Sequence, residues 1–130
     1  MNILVGYDGS KVANDGLKLA KKYAKIFGAK LHNLMSMDGG PQEPREDFEK
    51  AEKELNSVKS IVKKDEIPCE THLSVRGLEP GEDLVKYAKE HQIDQIIVGI
   101  RRRSKVGKLV FGSTAQYVIL EAPCPVLTVK

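Results

Sequence analysis

The sequence predicts an α/β domain: a five-stranded parallel sheet with helices on both faces. Two observations predict it. Short aliphatic runs, typical of buried strands, alternate regularly with stretches whose apolar residues recur at helical spacing. The chain has 130 residues, 41% of them hydrophobic, which suits one core. Right-handed crossovers between parallel strands place helices on both faces. No linker or repeat interrupts the alternation, so residues 1–130 are expected to form a single domain.

Local patterns predict each element in turn. Five strands are predicted at residues 2–6, 30–37, 69–75, 95–99 and 125–129. The first helix is predicted from Ala13, Leu17, Ala20, Ala24 and Phe27, with Gly28 as its end. The second is predicted from Phe48, Ala51, Leu55, Val58 and Val62, and the third from Leu84, Val85 and Ala88, with Pro80 in its first turn. A fourth helix over residues 115–122 is expected to start after Gly112, Ser113 and Thr114.

Positive charge is concentrated in one segment of the chain. The net charge is +3, but five of the 21 cations lie between Gly99 and Gly112, a stretch without acidic residues. These cations are Arg101, Arg102, Arg103, Lys105 and Lys108. This distribution favours a local site for a small anion over a surface that coats nucleic acid. A solvated charged surface is the alternative interpretation of the same run.

Several classes of protein are excluded by missing patterns. The chain lacks a P-loop, the G-x-G-x-x-G spacing and a G-x-S-x-G nucleophile elbow. His32, His72 and His91 are scattered without metal-ligand spacing, which argues against a metalloenzyme. No apolar run approaches the roughly 20 residues of a membrane-spanning helix. With no leader pattern at its start and two cysteines expected to be reduced, the protein is expected in the cytoplasm.

The ends of the first and fourth strands are the expected place for a ligand. Ligands of open parallel sheets bind beyond the carboxyl ends of the strands, where the strand order reverses. The first strand ends in Gly6, Tyr7, Asp8, Gly9 and Ser10, and the fourth ends in Val98 and Gly99. Both ends carry glycine, which allows backbone to approach a ligand closely.

Two segments give the chain a family resemblance. ILVGYDGS at 3–10 and VGIRRRSKVGKLVFGSTAQYVILEAPCPVLTV at 98–129, with the strand and helix order between them, resemble the universal stress protein family over essentially the whole chain. Its nucleotide-binding members have glycine, two residues, glycine, nine residues, then glycine with Ser or Thr. Here Gly99 and Gly112-Ser113 match this pattern, and Arg102 stands in place of the middle glycine.

The resemblance implies a fold, a ligand and an assembly. The fold is Rossmann-like with strand order 3-2-1-4-5, the ligand is ATP or AMP between strands one and four, and two copies pair through the last strand. The implied nucleotide-binding residues are Gly6, Tyr7, Asp8, Ser10, Ser36, Val98, Gly99, Arg101, Arg102, Gly112, Ser113 and Thr114. Asp8 would contact ribose or a phosphate-bound Mg²⁺, Ser36 would lie near adenine, and amides at residues 112–114 would face phosphate.

Alternatives remain at several of these positions. Asp8 could cap the first helix or stabilise its own turn, and residues 112–114 could be only a helix start. Arg102 could hold phosphate through its guanidinium or close the site. In the second case the protein would be a universal stress protein that acts through protein partners. No general base or nucleophile is evident, so ATP hydrolysis would at most be slow. Nucleic-acid binding and adenylate-forming chemistry are weaker hypotheses than these two.

Overall fold

A computed structural model describes residues 1–37, 39, 43–100, 102–103, 109–110 and 112–130, with backbone alone at 102–103 and 109–110. Its strands are β1 (Asn2–Gly6), β2 (Lys30–Ser36), β3 (Cys69–Ser74), β4 (Gln95–Gly99), β5 (Arg102–Arg103), β6 (Leu109–Val110) and β7 (Val126–Val129). Its helices are α1 (Lys11–Phe27), α2 (Arg45–Lys64), α3 (Pro80–Glu90) and α4 (Ser113–Glu121). All nine predicted elements are therefore present, and their ends differ from the predicted ends by a few residues at most.

The main sheet has five parallel strands in the order β3-β2-β1-β4-β7. Because β7 is the fifth strand of the predicted sheet, the expected order 3-2-1-4-5 is confirmed. The basic segment after β4 differs from the prediction, which placed no element there. This segment contains β5 and β6, which form an antiparallel pair with Arg102 opposite Val110 and Arg103 opposite Leu109. Two-residue strands are too short to give an alternating hydrophobic pattern, so the sequence did not predict them.

Side chains of the main sheet alternate between two cores. On one face, Ile3 and Val5 of β1 pack with apolar residues of α1 and α2. On the other face, Leu4 packs with apolar residues of α3 and α4. The helices thus cover both faces, as predicted, and α3 and α4 lie together on one of them. No helix within the described ranges is both long enough and apolar enough to cross a membrane.

Local signals set the ends of the helices that surround the carboxyl edge of the sheet. Ser10 caps α1 by accepting a hydrogen bond from the Ala13 amide at 3.2 Å, and Gly28 ends that helix at φ 63°. Pro80 begins α3, where its missing N–H costs no helical hydrogen bond. These signals bring the first turns of α1 and α3 to the ends of β1 and β2.

A glycine allows α3 and α4 to pack closely at their first turns. A Cβ atom at Gly81 would lie 3.0 Å from the Tyr117 Cβ and 3.3 Å from the Thr114 carbonyl oxygen. Any larger residue would therefore push α4 away from α3. The position of the first turn of α4 depends on this contact.

Candidate functional site

A cleft of about 140 Å³ lies at the carboxyl ends of β1 and β4, where the strand order reverses. Its walls come from the β1–α1 loop, the ends of β2 and β4, and the first turns of three helices. The lining residues are Gly6, Tyr7, Asp8, Ser10, Val12, Ala13, Leu34, Ser36, Pro80, Leu84, Val98, Gly99 and Thr114. This is the location expected for a ligand in an open parallel sheet.

The structure brings most of the predicted nucleotide-binding residues into this cleft. Eight of them line it: Gly6, Tyr7, Asp8, Ser10, Ser36, Val98, Gly99 and Thr114. Gly112 and Ser113 are exposed at the start of α4, next to Thr114. Arg101 lies outside the described residues, and the side chain of Arg102 does too.

Five lining residues were not among the sequence predictions. Leu34 precedes Ser36 by two positions on the same strand, so strand periodicity would have placed it beside Ser36. Val12 and Ala13 follow the predicted loop directly, in the first turn of α1. Pro80 and Leu84 had no such signal, because their place in the cleft depends on which helix covers the carboxyl edge of the sheet.

The loop after β1 is held by hydrogen bonds within it. Gly9 adopts φ 80°, and an Asp8 Oδ1 oxygen accepts the Ser10 amide at 3.0 Å. The Tyr7 hydroxyl donates to Asn14 Oδ1 at 2.9 Å, and burial raises the pKa of Tyr7. Of the two structural interpretations of Asp8, stabilisation of its own turn is therefore observed, while Ser10 caps the helix.

The glycines at the strand ends leave space that a side chain would fill. A Cβ atom at Gly99 would lie 2.7 Å from Val12 Cγ1, and one at Gly6 would lie 3.0 Å from Leu84 Cδ1. Val12 and Leu84 both line the cleft. Alanine at either position would therefore push an apolar side chain of the cleft wall, so these glycines serve packing and cleft shape together.

Ser36 lines the cleft, but its hydroxyl is engaged in a buried network. It donates to the carboxylate of Asp83, a residue of α3 with no exposed surface. Asp83 Oδ1 also accepts from the Ser74 hydroxyl at 3.0 Å and from Arg76 Nε at 2.9 Å. Arg76 continues to Glu90 at 2.9 Å, and this contact lowers the pKa of Glu90. The network fixes the Ser36 side chain, whose hydroxyl is hydrogen-bonded to Asp83 within the protein.

The first turn of α4 lies next to the cleft. Gly112 occupies the N-cap position with φ −65° and ψ 161°, and it has no side chain with which to cap the helix. The first amides of a helix lack partners within the helix, and the helix dipole adds positive charge there. Thr114, in this first turn, lines the cleft. The arrangement is able to bind an anionic group.

The three histidines are not scattered in space, which corrects the interpretation of their spacing. The ring centroid of His91, which follows α3, lies 6.2 Å from that of His32 on β2 and 6.0 Å from that of His72 on β3. Burial lowers the pKa of His32 to about 4. Hydrogen bonds from Lys30 and His72 lower the pKa of neighbouring Glu70 to about 2. Pairing of β2 with β3 brings His32 near Glu70 and His72 across about 40 positions of sequence, which motif spacing cannot reveal.

Comparisons with known proteins agree with the fold. The sequence model of the Universal stress protein family matches residues 1–130. A universal stress protein of Thermus aquaticus is 34% identical, over 98% of this chain and 97% of its own. The structure of a universal stress protein from Archaeoglobus fulgidus is 40% identical with a TM-score of 0.90, covering 100% of this chain and 98% of that one. A universal stress protein from the same organism in complex with dAMP is 36% identical with a TM-score of 0.85 and the same coverage.

Proposed function

The chain belongs to the universal stress protein family, and from this premise we propose that it binds an adenine nucleotide, ATP or AMP, in the cleft between β1 and β4. The observation that carries the proposal is the convergence of eight predicted residues on one cleft at the reversal of strand order. The Archaeoglobus fulgidus complex with dAMP supports it, since that protein shares 36% of its residues with this chain over its full length.

Each part of the cleft suits one part of a nucleotide. Leu34, Leu84 and Val98 form an apolar wall for the base, and Asp8 and Ser10 border it with polar groups for ribose. The phosphate is proposed to lie at the first turn of α4, near the Thr114 side chain and the amides of Ser113 and Thr114.

The basic segment completes the proposed phosphate site. Arg101 and Arg102 are proposed to contact phosphate, Arg102 through its guanidinium in place of the glycine found in nucleotide-binding relatives. Mg²⁺ would enter with the triphosphate, and the Asp8 carboxylate suits such a hard cation. We propose a regulatory or sensing role, in which ATP hydrolysis is slow because it depends on Mg²⁺ and positioning alone.

We further propose that two copies pair through β7 in the cytoplasm. β7 is the last strand of the main sheet, with β4 on its other side, so one edge of β7 is open to a second strand among the described residues. Tyr117, Ile119 and Leu120 of neighbouring α4 are exposed, Leu120 by 72%. Cys69 and Cys124 are free thiols, which suits a reducing compartment. Light scattering of the purified chain is expected to give twice the 14.4 kDa mass of one copy.

Nucleotide titration of matched variants tests the central proposal. ATP, AMP and dAMP, each with and without Mg²⁺, are expected to raise the melting temperature of the chain by mass action. Thr114→Val keeps the side-chain shape and removes a hydroxyl at the phosphate end, so affinity for AMP by calorimetry is expected to fall about tenfold. Thr71→Val, on β3 and away from the cleft, is the control and should leave affinity unchanged within about twofold.

The opposite results would separate the alternatives. Absence of any nucleotide effect on the wild-type chain would contradict the proposal and favour a family member that works through protein partners. An equal loss of affinity in Thr71→Val and Thr114→Val would place the nucleotide elsewhere.

A further inference from the structure

A cluster of metal-ligating side chains lies apart from the proposed nucleotide cleft, on β2 and on β3, which is an edge strand of the main sheet. His32 on β2 pairs in register with Glu70 on β3, and His72 follows Glu70 by two residues on the same side of β3. One ligand atom from each of these three residues lies within 4.8 Å of the other two. None of the three lines the nucleotide cleft.

The separations between these atoms match the needs of a single metal ion. Glu70 Oε2 lies 3.3 Å from His72 Nε2 and 3.7 Å from His32 Nδ1. Two ligands bound tetrahedrally to Zn²⁺ at its usual bond lengths are about 3.3 Å apart. Small side-chain movements would therefore bring all three atoms to bonding distance of one ion.

The hydrogen bonds of His32 orient its lone pair toward the cluster. His32 Nε2 lies 3.1 Å from Asn2 Oδ1, an oxygen that can only accept, so the hydrogen of the neutral ring is on Nε2. Nδ1 is left with a lone pair, which accepts the Tyr87 hydroxyl at 2.7 Å. Metal-bound histidines commonly donate their second N–H to an oxygen in this way. Here a metal ion would replace the Tyr87 hydrogen bond.

Glu70 is held as a charged ligand. Lys30 Nζ contacts its Oε1 oxygen at 2.7 Å, while Oε2 faces the two histidines. The Lys30 contact thus fixes the carboxylate without occupying the oxygen that faces the cluster. The positive charge of Lys30 also repels any metal cation bound nearby. The site therefore favours an ion that binds strongly to nitrogen ligands.

A path from solvent reaches this cluster. His72 borders an open cavity of about 300 Å³ together with Tyr87 and His91. The His91 ring stacks on Tyr87 with centroids 3.8 Å apart, and His91 Nδ1 lies 3.1 Å from the Tyr87 carbonyl oxygen. His91 is therefore occupied in packing, and water entering from the cavity would complete the coordination.

We propose that His32, Glu70 and His72 bind a first-row transition-metal dication of the Zn²⁺ type. Two imidazole nitrogens and one carboxylate oxygen suit Zn²⁺, Co²⁺ or Ni²⁺, whereas Mg²⁺ prefers oxygen ligands alone. Three protein ligands with an open fourth position are the arrangement of exchangeable zinc sites. The site is separate from the proposed nucleotide site and does not depend on it.

Metal titration of the full chain tests this site. All proteins carry Cys69→Ser and Cys124→Ser, which removes both thiols as competing ligands. Calorimetry with ZnCl₂ is expected to give one site per chain, and CoCl₂ is expected to produce visible d–d absorption of a nitrogen-ligated ion. His72→Ala and Glu70→Gln, both at partly exposed positions, are each expected to lower zinc affinity by at least about tenfold. Asn2→Ala, which removes the acceptor for His32, is expected to lower it about tenfold.

His91→Ala is the matched control, because it removes a histidine that lies beside the cluster but is not a proposed ligand. It should keep zinc affinity within about twofold. MgCl₂ should give no heat of binding at this site. The proposal is overturned by absence of a stoichiometric zinc site, by unchanged affinity in His72→Ala with normal circular dichroism, or by an equal loss in His91→Ala.

Discussion

The cleft proposed for the nucleotide and the histidine cluster differ in how the chain builds them. The cleft is lined by five separate stretches of chain, but most of its predicted residues stand in two local motifs, residues 6–10 after β1 and residues 98–99 at the end of β4. The cluster of His32, Glu70 and His72 is formed by residues on two strands that pair only in the folded sheet. Helix α3 contributes to both regions, with Leu84 in the cleft and Tyr87 against the cluster. Site residues that stand in local motifs can be predicted from the sequence, whereas a cluster made by strand pairing requires the topology.

The two regions are joined by the buried network around Asp83. Ser36 extends from it to the cleft, and Arg76 extends from it to Glu90, which borders the same cavity as His72. Variants of this network and of the cleft therefore test whether a change in one region affects the other.

Removal of the Arg76 guanidinium is expected to have the largest effect. Arg76→Met leaves the fully buried Asp83 carboxylate without its cationic partner, which should lower the free energy of unfolding by about 2 kcal/mol. The value is below that of a fully buried pair because the Arg76 side chain is 32% exposed. Urea denaturation measures it.

The double variant Arg76→Met with Asp83→Asn is the control, since it also removes the charge that needs a partner. It should be more stable than Arg76→Met alone. A double variant no more stable than Arg76→Met would contradict the assigned role of Arg76.

Substitution of Arg102 is expected to have an intermediate effect, confined to the nucleotide cleft. Arg102→Gly restores the glycine of nucleotide-binding relatives and removes the proposed phosphate contact, so ATP affinity by calorimetry should fall about tenfold. Circular dichroism should remain that of the wild-type fold. Arg103→Gly removes the same charge one position along and should weaken binding less. Unchanged ATP binding by Arg102→Gly would contradict the phosphate contact, and tighter binding would show that Arg102 obstructs the site.

Loss of the Ser36 hydroxyl is expected to have the smallest effect. Ser36→Ala removes one hydrogen bond to Asp83 and should cost about 1 kcal/mol of unfolding free energy. AMP affinity should change by no more than about twofold, because the hydroxyl faces Asp83 rather than the ligand. Ser74→Ala removes the other hydroxyl on Asp83 and should cost a similar amount. A tenfold loss of AMP affinity in Ser36→Ala alone would restore the adenine contact predicted from the sequence.

The sequence predicted the five strands of the main sheet, their order and the loops that line the cleft. These features follow from hydrophobic periodicity, from turn residues such as Gly9, and from a family resemblance at both ends of the chain. Ser36 was placed correctly at the cleft, but its engagement by Asp83 depends on α3 packing across the sheet, which periodicity does not report. The grouping of His32 and His72 was missed for the same reason, since strand register and not spacing brings them together.

Gly81 makes the spacing between two helices depend on the absence of a single carbon atom. It does not line the nucleotide cleft, yet it sets how near the Thr114 backbone comes to α3. Because the first turn of α4 carries the amides proposed for phosphate, the direction in which they point depends on the adjacent helix α3. Ligand preference in such a domain can therefore change through a neighbouring helix of the same layer while every residue that touches the ligand stays the same.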